Sequence, residues 1–223
     1  MYMKLFLNAL TKFIAGLLLV ALLLFLPAGT IRYPGGLLFL CLLFVPMLLM
    51  GIVMLARARD LLAKRLDVKE KQGTQKGVVA VMGLIFLSGF ILAGLDFRFG
   101  WSKVPLPVVI VASVLFLVGY AFYAEVMREN AYLSRTIKVE EGQTVISTGL
   151  YAVVRHPMYT ASTVMFLALP LILGSWYALI PFALYPVIMV VRIHGEEKLL
   201  TAELAGYEEY TRKVRYRLIP FVW

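Results

Sequence analysis

Apolar residues run almost unbroken along most of this chain, interrupted by short polar or charged stretches. Six runs stand out, at about 5–26, 35–56, 77–95, 107–124, 158–173 and 176–191. A helix crossing a bilayer needs ~20 apolar residues, and the first four runs meet or approach that length. The last two are shorter and only Gly174-Ser175 parts them, so they predict a tight helical hairpin in which one or both members stop short of a full crossing. Pro46, Pro170, Pro181 and Pro186 fall inside apolar runs, where proline kinks a membrane helix and neighbours must satisfy the freed carbonyls. The pattern predicts an all-α, polytopic integral membrane protein of about six transmembrane helices with a C-terminal helical hairpin.

Composition agrees. The chain is 61% apolar and 16% charged, against about half and a quarter in soluble domains. The net charge of +9 invites a nucleic-acid reading, but the positions of the charges argue for topology. With the N-terminus inside, all but three of the 22 lysines and arginines fall on the cytoplasmic side, the exceptions being Arg32, Arg98 and Lys103. The positive-inside rule then predicts a multi-pass protein with both termini cytoplasmic. The basic loop at 57–76 reads as a topology signal and a contact for membrane lipids. No aromatic residues interleave with its charges, which argues against nucleic acid as a partner. The single cysteine, Cys41, excludes an intrachain disulfide. The first run is too long for a signal-peptide core and has no clear cleavage pattern, so it reads as a retained span.

Between the runs, several local readings follow. Gly83, Gly89 and Gly94 permit close helix contact in the third run. Asp96, Arg98 and Trp101 mark an outer corner with a structural role, Trp101 as interfacial anchor. Glu125, Arg128 and Glu129 are spaced for mutual pairing on a helix end. Residues 134–146 alternate branched and polar positions around Glu141-Gly142, which predicts a short extended hairpin. After the last run, Leu199, Leu200, Leu204 and Tyr207 form an apolar stripe with Glu203, Glu208, Arg212 and Lys213 opposite, an amphipathic helix suited to the interface. Two regions result: 1–130, with four spans and the basic loop, and 131–223, with the polar approach, the hairpin and the tail.

The chemistry concentrates in the second region. In Gly149-Leu150-Tyr151-Ala152-Val153-Val154-Arg155-His156-Pro157-Met158-Tyr159, Pro157 keeps His156 out of a regular helix and is itself suited to open one. This places an imidazole, a guanidinium, two tyrosines and free backbone N–H groups at a helix start near the membrane surface. Arg192, His194, Glu196 and Glu197 cluster where the last run ends, and ionisable groups there are a functional-site hypothesis by default. No phosphate-binding glycine motif or nucleophile elbow is present. His156, His194 and Glu196 match no common zinc spacing, so no metal is expected. Acceptors for a ribose, donors for a carboxylate and tyrosine faces for a cation together suit S-adenosylmethionine, whose sulfonium is drawn to aromatic faces.

Gly-x-Tyr-x-x-x-Arg-His-Pro-x-Tyr, an apolar hairpin, Arg-x-x-x-Glu-Glu-x-x-Leu and Tyr-x-x-Tyr, in that order, resemble the isoprenylcysteine carboxyl methyltransferase family and the related membrane phospholipid methyltransferases. The resemblance runs from about residue 134 to 220. It implies an enzyme, an S-adenosylmethionine-dependent membrane methyltransferase with a cytoplasmic cofactor site. In its terms the cofactor contacts fall on Gln143, Thr144, Val145, Ile146, Tyr151, His156, Pro157, Met158, Tyr159 and Glu196. The substrate contact falls on Arg192, and Arg192 and Glu196 are the catalytic pair. The implied partner is a lipophilic or lipidated acceptor, such as an isoprenylcysteine carboxylate. Leu150 stands where many relatives have proline. Two alternatives stay open: an NADPH-dependent membrane reductase of the sterol-reductase type, and a non-catalytic membrane scaffold of the same fold.

Overall fold

The computed structural model describes residues 2–67, 73–134 and 139–223. All regular structure among them is helical. Helices α1 (Tyr2–Ala28), α2 (Pro34–Arg57), α3 (Arg59–Leu66), α4 (Gly73–Phe99) and α5 (Leu106–Glu129) come first. A 3-10 turn at Gly149–Ala152 leads into α6 (Pro157–Ile172), the one-turn α7 (Leu179–Phe182), α8 (Tyr185–Glu203) and α9 (Tyr207–Lys213).

Five segments are long and apolar enough to cross a membrane: Met3–Ala28, Pro34–Arg57, Gln75–Phe99, Leu106–Glu129 and Leu179–Glu203. The fifth run of the sequence, α6, has 16 residues and falls short of that length. Leu18, Leu22 and Leu26 of α1, Leu49 of α2 and Leu84 of α4 are exposed on the surface that hydrocarbon would cover. The last run differs from expectation. It does not end near 191 but continues as α8 to Glu203, so the acidic and basic groups after it stay on the same helix. Pro186 lies in the first turn of α8, where proline costs no hydrogen bond, and does not kink it. Pro46 and Pro170 do sit within α2 and α6.

The bundle closes around Leu24, Phe39, Phe116, Leu169, Ile172 and Phe182. Small residues set the closest approaches. A methyl added at Gly94 would lie 2.6 Å from the Leu24 carbonyl oxygen, and one at Gly89 would collide with the Phe182 ring. Gly119 of α5 meets Met165 of α6 in the same way, at 2.7 Å from its Cγ. Gly83 was expected to join this set but has no neighbour within 4 Å of that position, so it faces away from the packed helices.

At one end of the bundle a polar knot ties the hairpin down. Asp96 is buried at the end of α4 and accepts from the Ser102 N–H (2.7 Å), the Ser102 hydroxyl (2.6 Å) and the Ser175 hydroxyl (2.5 Å). Ser175 in turn accepts from the Ala178 N–H at 3.0 Å. The buried Tyr33 hydroxyl donates to the Leu173 carbonyl at 2.5 Å. The Trp101 ring is half exposed beside Phe99 and Tyr177, as suits an interfacial anchor. The α6–α7 connection is thus held by carboxylate and phenol to α4 and α2, and the opposite end of the hairpin is presented to the site.

Candidate functional site

At that opposite end, His156 immediately precedes α6 in the way its sequence predicts. Its backbone is non-helical (φ −125°, ψ 60°) and Pro157 opens the helix. The His156 N–H is bonded to the Arg217 carbonyl and the Arg155 N–H to the Tyr216 carbonyl, both at 2.9 Å, so the tail lies against the approach to α6.

Glu197 is the centre of this joint. It accepts from Arg155 Nε and Arg217 Nε at 2.7 Å each, and His156 Nε2 is 3.3 Å away. Arg155, itself buried, also donates to the Val214 and Arg215 carbonyls at 2.7 and 2.9 Å. Arg155 is therefore a brace between α8 and the tail. Beside Glu197 on α8, Glu196 accepts from the Tyr159 hydroxyl (2.7 Å), which in turn accepts from Arg192 Nε about one turn earlier (3.1 Å). The spacing of four between Arg192 and Glu196 brings both to one phenol. Behind them Arg192 Nη1 reaches Gln75 Oε1 of α4 at 3.4 Å. Gln75 is almost fully buried, and its amide lies where a side chain at Gly195 would stand.

A cleft with a cavity volume of about 90 Å³, partly open to solvent, opens onto these groups. Its wall includes Gln143, Thr144, Val145 and Ile146, then Tyr151, His156, Pro157, Met158 and Tyr159, and then Glu196. The cofactor residues expected from sequence thus meet in one place. Arg192 stands one residue back from that wall and joins it through Tyr159. His194 lies elsewhere: its ring is exposed, bonded to the Val190 carbonyl at 2.8 Å and set against Trp223. Among the described residues no three His, Cys, Asp or Glu side chains gather as a metal site.

Other expectations change. Residues 135–138 of the proposed extended hairpin lie outside the described residues. In the remainder a turn forms at Glu141-Gly142, but no strand pairing accompanies it among the described residues. The segment is held instead by side chains: Gln143 Oε1 accepts from the Glu140 N–H (2.9 Å) and Lys64 pairs with Glu140 (2.5 Å). Glu125 pairs with Arg128 as expected, but Glu129 turns away to accept from the Thr148 hydroxyl (3.0 Å) and the Leu150 N–H (3.2 Å). It fills the space beside Gly149, whose φ of +49° and lack of Cβ allow both. The amphipathic tail helix does not form as one piece. Leu199 and Leu200 belong to α8, and Gly206, left-handed at φ +82°, separates α8 from α9. Leu204, Tyr207 and Tyr210 turn inward and pack with Val139, Val145, Leu200 and Val214. A stripe that suits lipid forms the apolar wall of the cleft.

Sequence reasoning missed Asn130, Tyr132, Leu133 and Tyr210 as cleft residues, and Gln75 behind it. Asn130 Nδ2 donates to the Tyr151 hydroxyl at 2.8 Å, and Tyr210 donates to the Tyr151 carbonyl at 2.7 Å. Burial pushes the Tyr151 and Tyr210 phenols well above the ordinary value, so both stay protonated donors.

Residues 107–206 match the sequence model of the phospholipid methyltransferase family. That span runs from the start of α5 to Gly206 and holds most of the cleft wall. The chain is also 26% identical, over 133 residues, to the mouse Delta(14)-sterol reductase, which covers 53% of this chain and 32% of that relative. The chain therefore matches about a third of the reductase's length.

Proposed function

We propose that this chain is an S-adenosylmethionine-dependent membrane methyltransferase acting on a lipid-like acceptor. The observation that carries the proposal is the single cleft that joins His156-Pro157-Met158-Tyr159, the 143–146 segment and Glu196. The phospholipid methyltransferase match over 107–206 supports it.

The lining fits such a ligand. Val145, Ile146, Leu200 and Leu204 offer an apolar wall for a base, Glu196 an acceptor for hydroxyl or ammonium groups, and Tyr151 and Tyr159 aromatic faces for a sulfonium. Bound S-adenosylmethionine supplies an activated methyl group that needs neither a metal nor a covalent enzyme intermediate. The protein's part is alignment. Tyr159 fixes the Glu196 carboxylate and the Arg192 guanidinium relative to each other. We assign Arg192 to the acceptor, an isoprenylcysteine-type carboxylate, because its planar fork binds a carboxylate bidentately. A carboxylate is already ionised at neutral pH and needs no base. An amine acceptor would need one. Glu196 is then the candidate, since Glu197 is committed to Arg155, His156 and Arg217. Cytoplasmic termini and a cytoplasmic cleft complete the proposal, with residues 1–130 as support and 131–223 as catalytic region.

The reductase relative favours a second reading, an NADPH-dependent enzyme. Titration of purified protein with S-adenosylmethionine and with NADPH separates them. We expect saturable binding of the first only, weakened about ten- to a hundredfold by His156→Ala. Binding of NADPH alone would overturn the proposal.

A further inference from the structure

Five tyrosines line the cleft: Tyr132, Tyr151, Tyr159, Tyr207 and Tyr210. Four have bonded hydroxyls. Tyr132 donates to the Gly142 carbonyl (3.3 Å), Tyr151 accepts from Asn130 (2.8 Å), Tyr159 bridges Arg192 and Glu196, and Tyr210 donates to the Tyr151 carbonyl (2.7 Å). Tyr207 is the exception. Its side chain is 96% buried (4% exposed) and its hydroxyl has no protein partner. A buried hydroxyl without a bond is costly, so such groups are few in a stable fold.

Nothing about the fold demands the hydroxyl. The Tyr207 ring packs with Leu204, Tyr210 and Val145, and a phenylalanine would make the same contacts. The left-handed Gly206 and the start of α9 place the ring with no help from the oxygen. Glu197 and Glu196 lie near enough to act on the phenol electrostatically, as does Arg155. Burial first, and then those two carboxylates, hold it protonated. It is a donor set in the wall of a ligand cleft, and both nearby carboxylates already accept from Tyr159, Arg155 and Arg217.

We propose that the Tyr207 hydroxyl is a direct ligand contact, donating a hydrogen bond to an acceptor atom of the nucleoside cofactor bound in this cleft. The proposal rests on the reading of the cleft as a cofactor site, not on the identity of the methyl acceptor. It makes the tail helix α9 part of the binding site. Tyr207 is a specificity-determining residue, because a donor at this point favours ligands with an oxygen or nitrogen acceptor there.

The test uses two conservative variants, Tyr207→Phe and Tyr210→Phe, in the full chain. Each is measured for thermal unfolding without ligand and by calorimetric titration with S-adenosylmethionine and with NADPH. The two effects should have opposite signs at Tyr207. Without ligand, Tyr207→Phe should unfold at the wild-type temperature or higher, because an unpaired buried hydroxyl is removed. Its affinity for the bound nucleotide should fall about three- to thirtyfold. Tyr210→Phe should instead lower the unfolding temperature without ligand, because it breaks an internal bond. Unchanged affinity in Tyr207→Phe overturns the proposal, and so does a lowered unfolding temperature without ligand, which would place the hydroxyl's partner inside the fold. Wild-type protein that binds NADPH alone, with Tyr207→Phe weaker, overturns the methyltransferase reading but upholds Tyr207. Wild-type protein that binds neither overturns both.

Discussion

Two buried polar clusters sit at opposite ends of this bundle, and they differ in how completely they are paired. At one end Asp96, Ser102, Ser175 and Tyr33 bond among themselves and to backbone groups, and they join α4, α2 and the α6–α7 connection. At the other end Glu197, Arg155, Arg217 and His156 form an equally tight joint, but beside it Glu196 and Tyr207 border an open cleft. A closed network fixes helices. An open one in an otherwise satisfied interior marks where a ligand completes the pairing. The difference separates scaffold from site without reference to any family.

The sharpest way to break the comparison is to cut the joint beneath the cleft. Glu197→Ala leaves Arg155 buried without its carboxylate, and uncompensated buried charge costs ~3–5 kcal/mol. We expect a large fall in unfolding temperature and loss of the tail's attachment. Limited proteolysis near residues 207–217 should then appear in native conditions. A stable Glu197→Ala protein with a protected tail would mean that Glu197 is a ligand group and not a joint.

Asp96→Ala tests the closed end. It removes the acceptor for two hydroxyls and one N–H, roughly 2–3 kcal/mol of stability. Cofactor affinity, read by titration well below the unfolding temperature, should not move. If affinity falls with stability, the two ends are coupled and the division into scaffold and site is wrong.

Arg192→Lys probes the boundary between network and cleft. Lysine keeps the charge but cannot bond Tyr159 and Gln75 from one planar fork. Turnover should drop about tenfold or more, with cofactor affinity near wild type. If affinity falls and acceptor kinetics stay intact, Arg192 serves the cofactor. Unchanged kinetics would leave it an interfacial anchor.

Much of this was legible in the chain itself. Run lengths and the positions of lysine and arginine predict a helical membrane protein, and Pro157 predicts the break at His156 and the start of α6. The residues that meet in the cleft were legible as two motifs. What stayed hidden depends on long-range placement. Lys64 and Arg65 read as part of a basic topology loop, yet they reach Glu140 and the Ser134 carbonyl and hold the cleft's outer segment. Leu200, Leu204 and Tyr207 read as lipid-facing because periodicity reports an apolar stripe and not what covers it. Gln75 carried no local signal at all. Its role comes from α4 crossing α8 at Gly195, a contact no short-range pattern encodes. The knot at Asp96 was foreseen as structural, but its bond to Ser175 spans 79 residues.

The smallest expected effect is at Tyr151, whose hydroxyl accepts from Asn130 and so keeps its own proton for another acceptor. Tyr151→Phe removes one internal bond, worth ~0.5–1.5 kcal/mol of stability. It also removes one donor from the cleft wall, so cofactor affinity should fall about three- to tenfold. Tyr151 thus lies between Tyr207, where only affinity should suffer, and Tyr210, where stability should suffer first. The pH dependence adds a check. Burial raises the Tyr151 phenol above its ordinary value, and the Asn130 bond only partly offsets that. The group therefore holds its proton through the neutral range, and the ratio of wild-type to Tyr151→Phe affinity should be flat between about pH 6 and 9. A ratio that changes across that window would rule out the Tyr151 phenol as the donor.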